Sequence, residues 1–214
     1  MPAGNDIVAW QHPRCVGKWQ NRRFLEKTCT PKEIQQLETA PNPDLLLWAC
    51  WAAKEAAYKL SCFLGNRNGF IARRFETFFD GGEIPIQHNL NSLPGVVQGY
   101  SLHTASLTGW VHGGTDKYFA AINVAPGYIH ALATTAEAEL QQVAWGILQN
   151  TGEENDNGAV RRFAVNSLNQ LWGNRFHTIE KDKDGIPFLQ ENDNTNPYIS
   201  LSHDHGYLAF AFGR

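Results

Sequence analysis

The chain carries almost no excess of either charge: 18 Lys and Arg stand against 21 Asp and Glu, for a formal charge of -3 over 214 residues. A general nucleic-acid binder shows a strong basic excess, so that class is excluded. The four cysteines (Cys15, Cys29, Cys50, Cys62) include no CxxC pair and no tight metal spacing. They fit free thiols in a reducing compartment, and the expected location is the cytoplasm. The opening MPAGNDIVAW lacks a basic segment followed by an apolar run, so no secretory signal is expected. No long hydrophobic run is free of charge either. Leu45 to Leu64 is long enough to span a bilayer, but Lys54, Glu55 and Lys59 lie inside it. Each would cost about 2.5–3.5 kcal/mol at a bilayer centre, so no membrane span is expected. P-loop, G-x-G-x-x-G and H-E-x-x-H motifs are absent as well.

What is present suits a folded domain or two small packed halves, with 43% hydrophobic and only 18% charged residues. Residues 4–10 read as a strand interrupted only by Asp6. A basic stretch follows, with Arg14, Lys18, Arg22, Arg23, Lys27 and Lys32 against the single acid Glu26. Thr30-Pro31-Lys32-Glu33 is a capping box with Pro at the first helical position, which starts a helix running to about Leu37. Pro41-Asn42-Pro43 breaks the chain, and Asp44 caps a long helix ending near Gly65. That helix is apolar nearly all round, so it is buried on several sides.

Strands are expected at Ala72–Phe79, Gly95–Ala105, Thr108–His112 and Tyr118–Val124, with an Asp80-Gly81-Gly82 turn and a loop over 83–94. Thr134 and Glu137 suggest a second capping box opening a helix to about Asn150. A polar linker (Thr151–Gly158), a helix (Ala159–Trp172) and strands at Phe176–Glu180, Tyr198–Ser202 and Tyr207–Phe212 complete the reading. Helices mixed with hairpin-like strands, without βαβ alternation, make this an α+β chain. Two unequal halves are expected, 1–133 and 134–214.

Three segments carry candidate chemistry. In the long helix Glu55 and Lys59, four apart, share a face, while Lys54 points about a quarter-turn away. Such a pair is often a surface salt bridge. Set among Ala, Trp and Tyr, it also suits a site with a carboxylate for a hard cation and an ammonium for phosphate oxygens. Asp6 is either a turn residue or a second carboxylate for the same cation. Ser200-Leu201-Ser202-His203-Asp204 is either a polar loop or an anion contact through Ser202 and His203. His203, Asp204 and a Ser also invite a hydrolase reading, but no G-x-S-x-G elbow accompanies them.

Together, G-x-D-I-V (Gly4–Val8), Arg23-Phe24, Thr30-x-x-Glu33, W-x-x-K-E-A-x-x-K (Trp51–Lys59) and the C-terminal G-x-P and S-x-S-H elements resemble the 4'-phosphopantetheinyl transferase superfamily. The motif order is similar to the holo-acyl-carrier-protein synthases, whereas the length is nearer the surfactin-type enzymes, with the order of the halves swapped. The resemblance implies a pseudo-dimer of two halves, each with helices packed on a small, mainly antiparallel sheet. It implies Mg²⁺-dependent transfer of 4'-phosphopantetheine from coenzyme A to a serine of an acyl or peptidyl carrier protein, as in fatty acid biosynthesis.

By that resemblance Asp6 and Glu55 are the Mg²⁺ ligands, and Glu55 is the general base. Lys59 and Lys54 are the motif lysines, with Lys59 near the coenzyme A diphosphate. Ser202 and His203 contact the coenzyme A phosphates, His203 approaching the acids from the C-terminal half. Arg14, Lys18, Arg22, Arg23 and Lys27 are available for carrier docking, and two halves in one chain would allow a monomer. The pattern departs at Ile186, where the family often has Lys in G-K-P, at Val8, at His12, and at Asp204, which replaces a usual Ser or Thr. Ile186 and Asp204 suggest the alternative of a catalytically degenerate coenzyme A or carrier-protein binding module.

Overall fold

The computed structural model describes residues 1–79, 84, 95–98 (backbone only), 105–150, 155–192 and 195–213. The expected 80–82 turn, nearly all of the 83–94 loop, residues 99–104 and the start of the 151–158 linker lie outside the described residues.

Five antiparallel strands form the first sheet in the order β1-β6-β5-β4-β2: β1 (Gly4–Val8), β2 (Phe75–Phe79), β4 (Leu107–Gly113), β5 (Asp116–Ala125) and β6 (Tyr128–Thr134). The second sheet runs β10-β11-β7-β3, from β3 (Gly95–Gln98), β7 (Val143–Gln149), β10 (Ser200–Asp204) and β11 (Tyr207–Gly213). A hairpin of β8 (Phe176–Lys181) and β9 (Pro187–Glu191) stands apart. The helices are α1 (Arg22–Thr28), α2 (Pro31–Thr39), α3 (Pro43–Phe63) and α4 (Asp156–Trp172).

The layers follow from side-chain alternation. Val8, Val111, Ala120, Ile122, Ile129 and Ala131 of the first sheet pack against α3. Their neighbours Phe119, Ala121 and Leu132 pack against Trp145 and Ala211 of the second sheet. On that sheet's far side, Ala144, Phe210 and Phe212 meet Ala164 and Leu168 of α4 and Leu189 of the hairpin. The result is a two-lobed α+β molecule, and β5 and β6 are buried on both faces. The expected boundary at 133/134 falls at the end of β6, while β3, from before it, pairs with β7 in the second sheet.

Helix α2 opens with the capping box expected from Thr30 and Glu33 and runs on to Thr39. Helix α3 is capped two positions earlier than the sequence suggests. Asn42 accepts from the Leu45 amide at 3.1 Å, and Asp44 instead takes the Gly17 amide at 2.7 Å. The segment after Thr134 also differs from its expected helix, with a short 3-10 turn (Glu137–Gln142) leading directly into β7. Glu139, not Glu137, closes that turn by accepting from the Thr135 and Ala136 amides. Among the described residues no helix is long and apolar enough to cross a membrane. All four cysteines are free, and burial pushes the Cys50 thiol up to about 12.

Gly4 sets how closely β1 lies on α3. A Cβ there would stand 2.0 Å from the Ala56 carbonyl oxygen, so only glycine permits this approach. Asp6, two residues on, therefore reaches the same helix.

Lys54 faces another way. Both it and Glu33 have side chains only 1% exposed, and their charged atoms are 2.5 Å apart. Lys54 Nζ also donates to the Thr28 carbonyl at 2.9 Å, while Glu33 accepts from the Thr77 amide and hydroxyl. The pair thus ties α1, α2 and β2 to α3. Removing one partner of a buried pair leaves the other charge uncompensated. Lys54→Met is expected to cost about 3–5 kcal/mol in denaturant unfolding; a loss below about 1 kcal/mol would contradict this role.

Candidate active site

Strand β1 lies at the edge of its sheet, paired on one side with β6. The outward amides of Asn5, Ile7 and Ala9 are nevertheless all bonded. They donate to Ser200 Oγ at 2.9 Å, Ser202 Oγ at 2.9 Å and Asp204 Oδ2 at 2.8 Å. Alternate residues of β10 share one face, so its polar side chains serve β1 as a substitute for a strand.

Asp6 sits within this seam and is buried. Its Oδ1 accepts from Ser202 Oγ at 2.8 Å and from Lys59 Nζ at 2.8 Å. Lys59 also donates to the Asn5 carbonyl at 3.0 Å and lies 4.0 Å from Glu55 Oε2, one turn back on α3. Burial, then the negative charge of Asp6, pushes the Glu55 carboxyl up to about 7; Asp204 adds to this and Lys59 opposes it. Two carboxylates, Asp6 and Glu55, thus share one ammonium.

The structure brings Asp6, Glu55, Lys59 and Ser202 together. Lys54 is not among them, being committed to Glu33 and Thr28. His203 lies on the opposite face of β10 from Ser202. Its Nε2 is 3.2 Å from Asn157 Oδ1, and its Nδ1 is 3.8 Å from Asp156 at the start of α4. Strand alternation separates two residues that are adjacent in sequence.

Asp204, at first only a departure from a motif, belongs to the site. It holds Ala9, lies 3.6 Å from His205 Nε2 and helps shift Glu55. His205 stacks on His12 with ring centroids 3.6 Å apart, closing the end of β1 over the β10–β11 turn. The Ser200-x-Ser202-x-Asp204 alternation was the available sequence signal for this seam.

A cavity of about 250 Å³ opens beside Lys59, between the end of α3 (Tyr58, Phe63) and the β8–β9 turn (Asp184, Ile186). Of the basic stretch, Arg14, Arg22, Arg23 and Lys27 are exposed and Lys18 half-buried. Arg22 pairs with Glu26 at 2.9 Å.

For a divalent cation the donor set has two relevant features. Among the described residues, the side-chain contacts of Asp6 fall on Oδ1, which leaves Oδ2 for a ligand. Also among the described residues, no three His, Cys, Asp or Glu side chains form a metal-holding group by themselves. The residues therefore fit an ion that takes one or two carboxylates and completes its shell with water and phosphate oxygens, as Mg²⁺ does.

A family model described as the 4'-phosphopantetheinyl transferase superfamily matches residues 2–111, a stretch that includes Asp6, Glu55 and Lys59. The chain is also 32% identical over 65 residues to the fatty acid synthase subunit alpha of Candida parapsilosis (strain CDC 317 / ATCC MYA-4646). That alignment covers 30% of this chain and 4% of the subunit's length.

The elevated Glu55 carboxyl gives stability a definite pH dependence. Between its ordinary value of 4.5 and about 7 the folded chain keeps a proton that the unfolded chain loses, so this group lowers stability as pH rises through that window. Glu55→Gln is expected to leave stability unchanged at pH 4 and raise it by about 3 kcal/mol at pH 8. A difference from wild type that does not vary with pH would contradict the assignment.

Proposed function

The chain belongs to the 4'-phosphopantetheinyl transferase superfamily, and from that premise we propose that it transfers 4'-phosphopantetheine from coenzyme A to a serine of an acyl or peptidyl carrier protein. The observation that carries the reading is the junction of Asp6, Glu55 and Lys59 beside the cavity, with Glu55 pushed to about 7. A carboxylate with that affinity for protons suits a general base working near neutrality.

In the proposed step the carrier serine oxygen bonds to the β-phosphorus of coenzyme A. Its proton passes to the Glu55 carboxylate, directly or through water, and the P–O bond to 3',5'-ADP breaks. Lys59 offsets the negative charge gathering on the diphosphate, while Asp6, fixed by Ser202, holds Lys59 in place. Asp6 and Glu55 would hold Mg²⁺, whose positive charge neutralises the diphosphate when it is bound. Ser202 keeps its place by accepting from the Ile7 amide, whereas His203, on the other face of β10, lies against Asn157 and outside this group. Lys54 acts by anchoring α1 and α2. The exposed cations Arg14, Arg22, Arg23 and Lys27, with Lys18, offer a docking face to an acidic carrier. The reading takes the two lobes as halves of a pseudo-dimer divided at 133/134, active as a monomer in the cytoplasm.

Ile186, buried where a lysine would supply a phosphate contact, favours the second reading of a coenzyme A or carrier-protein binding module without transfer. Incubation with apo-carrier proteins, coenzyme A and Mg²⁺, followed by intact-mass measurement, separates the two. A mass gain of one phosphopantetheine is expected for wild type, with a loss of at least about a hundredfold in rate for Glu55→Gln. Mg²⁺ should also raise the melting temperature of wild type at pH 8, and do so less for Glu55→Gln. Absence of transfer to several carriers, or a wild-type rate in Glu55→Gln, would overturn the transferase reading.

A further inference from the structure

The cavity beside Lys59 is short of positive charge for a ligand rich in phosphate. Among the described residues lining it Lys59 is the one cation, and it is already bonded to Asp6 and the Asn5 carbonyl. Ile186 is apolar and buried. A second cation stands at the rim. Arg67, in the loop after α3, donates through Nη1 to the Cys62 carbonyl and, at 3.3 Å, to the Asn66 carbonyl. Its Nε donates to Asp184 Oδ2 at 2.9 Å. Cys62 and Asp184 both line the cavity, so the guanidinium spans its mouth from the first lobe to the β8–β9 turn.

The two sides of this ion pair are held differently. The turn is fixed by Asp182, whose Oδ1 accepts from the Asp184 and Ile186 amides, both at 2.9 Å, and whose Oδ2 accepts from the Tyr198 hydroxyl at 3.3 Å. Tyr198 in turn stacks on Phe63, with ring centroids 5.3 Å apart and planes 8° from parallel. Arg67 follows Gly65, whose φ of 104° is a glycine conformation, and its long side chain can re-aim without moving either lobe. Its side chain is 42% exposed and that of Asp184 35%. Exchanging one oxyanion partner for another therefore costs little.

We propose that Arg67 is the second phosphate-binding cation of this site, and that Asp184 is its built-in competitor. The carboxylate occupies the position an incoming phosphate oxygen would take. A guanidinium fork accepts either anion, and the phosphate carries the greater charge. Arg67 thereby supplies from the first lobe the contact that Ile186 does not provide from the second. The inference rests on coenzyme A being the donor.

Isothermal titration of coenzyme A into wild type, Arg67→Ala and Asp184→Asn, with melting temperatures as a check on folding, tests the pair by sign. Arg67→Ala should weaken binding about tenfold and Asp184→Asn should tighten it. If the pair were only a strap between lobes, both variants would shift affinity in the same direction, and the inference would fall. It also falls if Arg67→Ala binds as tightly as wild type while wild type binds well, a result that leaves the functional reading standing. Failure of wild type to bind coenzyme A would remove both. Repeating the titrations with dephospho-coenzyme A locates the phosphate. If the Arg67→Ala deficit disappears, Arg67 holds the ribose monoester; if it persists, Arg67 holds the diphosphate.

Discussion

Three backbone amides on the outer edge of β1 donate not to a neighbouring strand but to the side chains of Ser200, Ser202 and Asp204. An open strand edge normally carries unpaired amides, and burying them without partners is costly. Here the second sheet satisfies them with every other residue of β10, so the lobes can pack face to face without merging into one sheet. Ser202 has a double task, accepting from Ile7 and donating to Asp6. The seam that joins the lobes is thus also the mount for the site's most buried carboxylate.

The electrostatics of the site follow from this mount. Asp6 cannot swing away from α3, because Gly4 draws β1 onto the helix and Ser202 grips the carboxylate from the other side. Lys59 must then serve Asp6 and the Asn5 carbonyl, which leaves it 4.0 Å from Glu55 and only partly compensating that carboxylate. Asp204, recruited to cap Ala9, adds negative charge to the same small volume. A structural requirement at the end of β1 therefore contributes to the affinity of Glu55 for protons. Such a surplus of carboxylates suits a divalent cation.

Local rules made several features legible in the sequence. Thr30 and Glu33 form the box their spacing implies, and the Pro43–Phe63 helix is buried on several sides as its all-round apolar pattern requires. Features set by partners distant in sequence were not legible. Residues 136–142 have helical composition, yet β7 begins immediately after them because Val143–Gln149 finds pairing on both sides, from β11 and β3. Asn42 displaced Asp44 as the α3 cap because Asp44 is taken by the Gly17 amide. A motif read linearly placed Ser202 and His203 in one contact, whereas a strand turns them to opposite faces. Lys54, next to Glu55 in the motif, is drawn into its own buried pair by Glu33, a partner 21 positions away. The register of β10 against β1 depends on contacts nearly 200 positions apart, beyond what residue spacing conveys.

The central claim is that β10 side chains complete the edge of β1 and so fix Asp6. Native-state hydrogen exchange of the Asn5, Ile7 and Ala9 amides, compared between wild type and Ser202→Ala, tests it most directly. Slow exchange at all three positions in wild type, with a selective loss of protection at Ile7 in the variant, is the predicted outcome. Rapid exchange of these amides in wild type, like those of an open edge, or an Ile7 amide indifferent to the loss of the Ser202 hydroxyl, would contradict it.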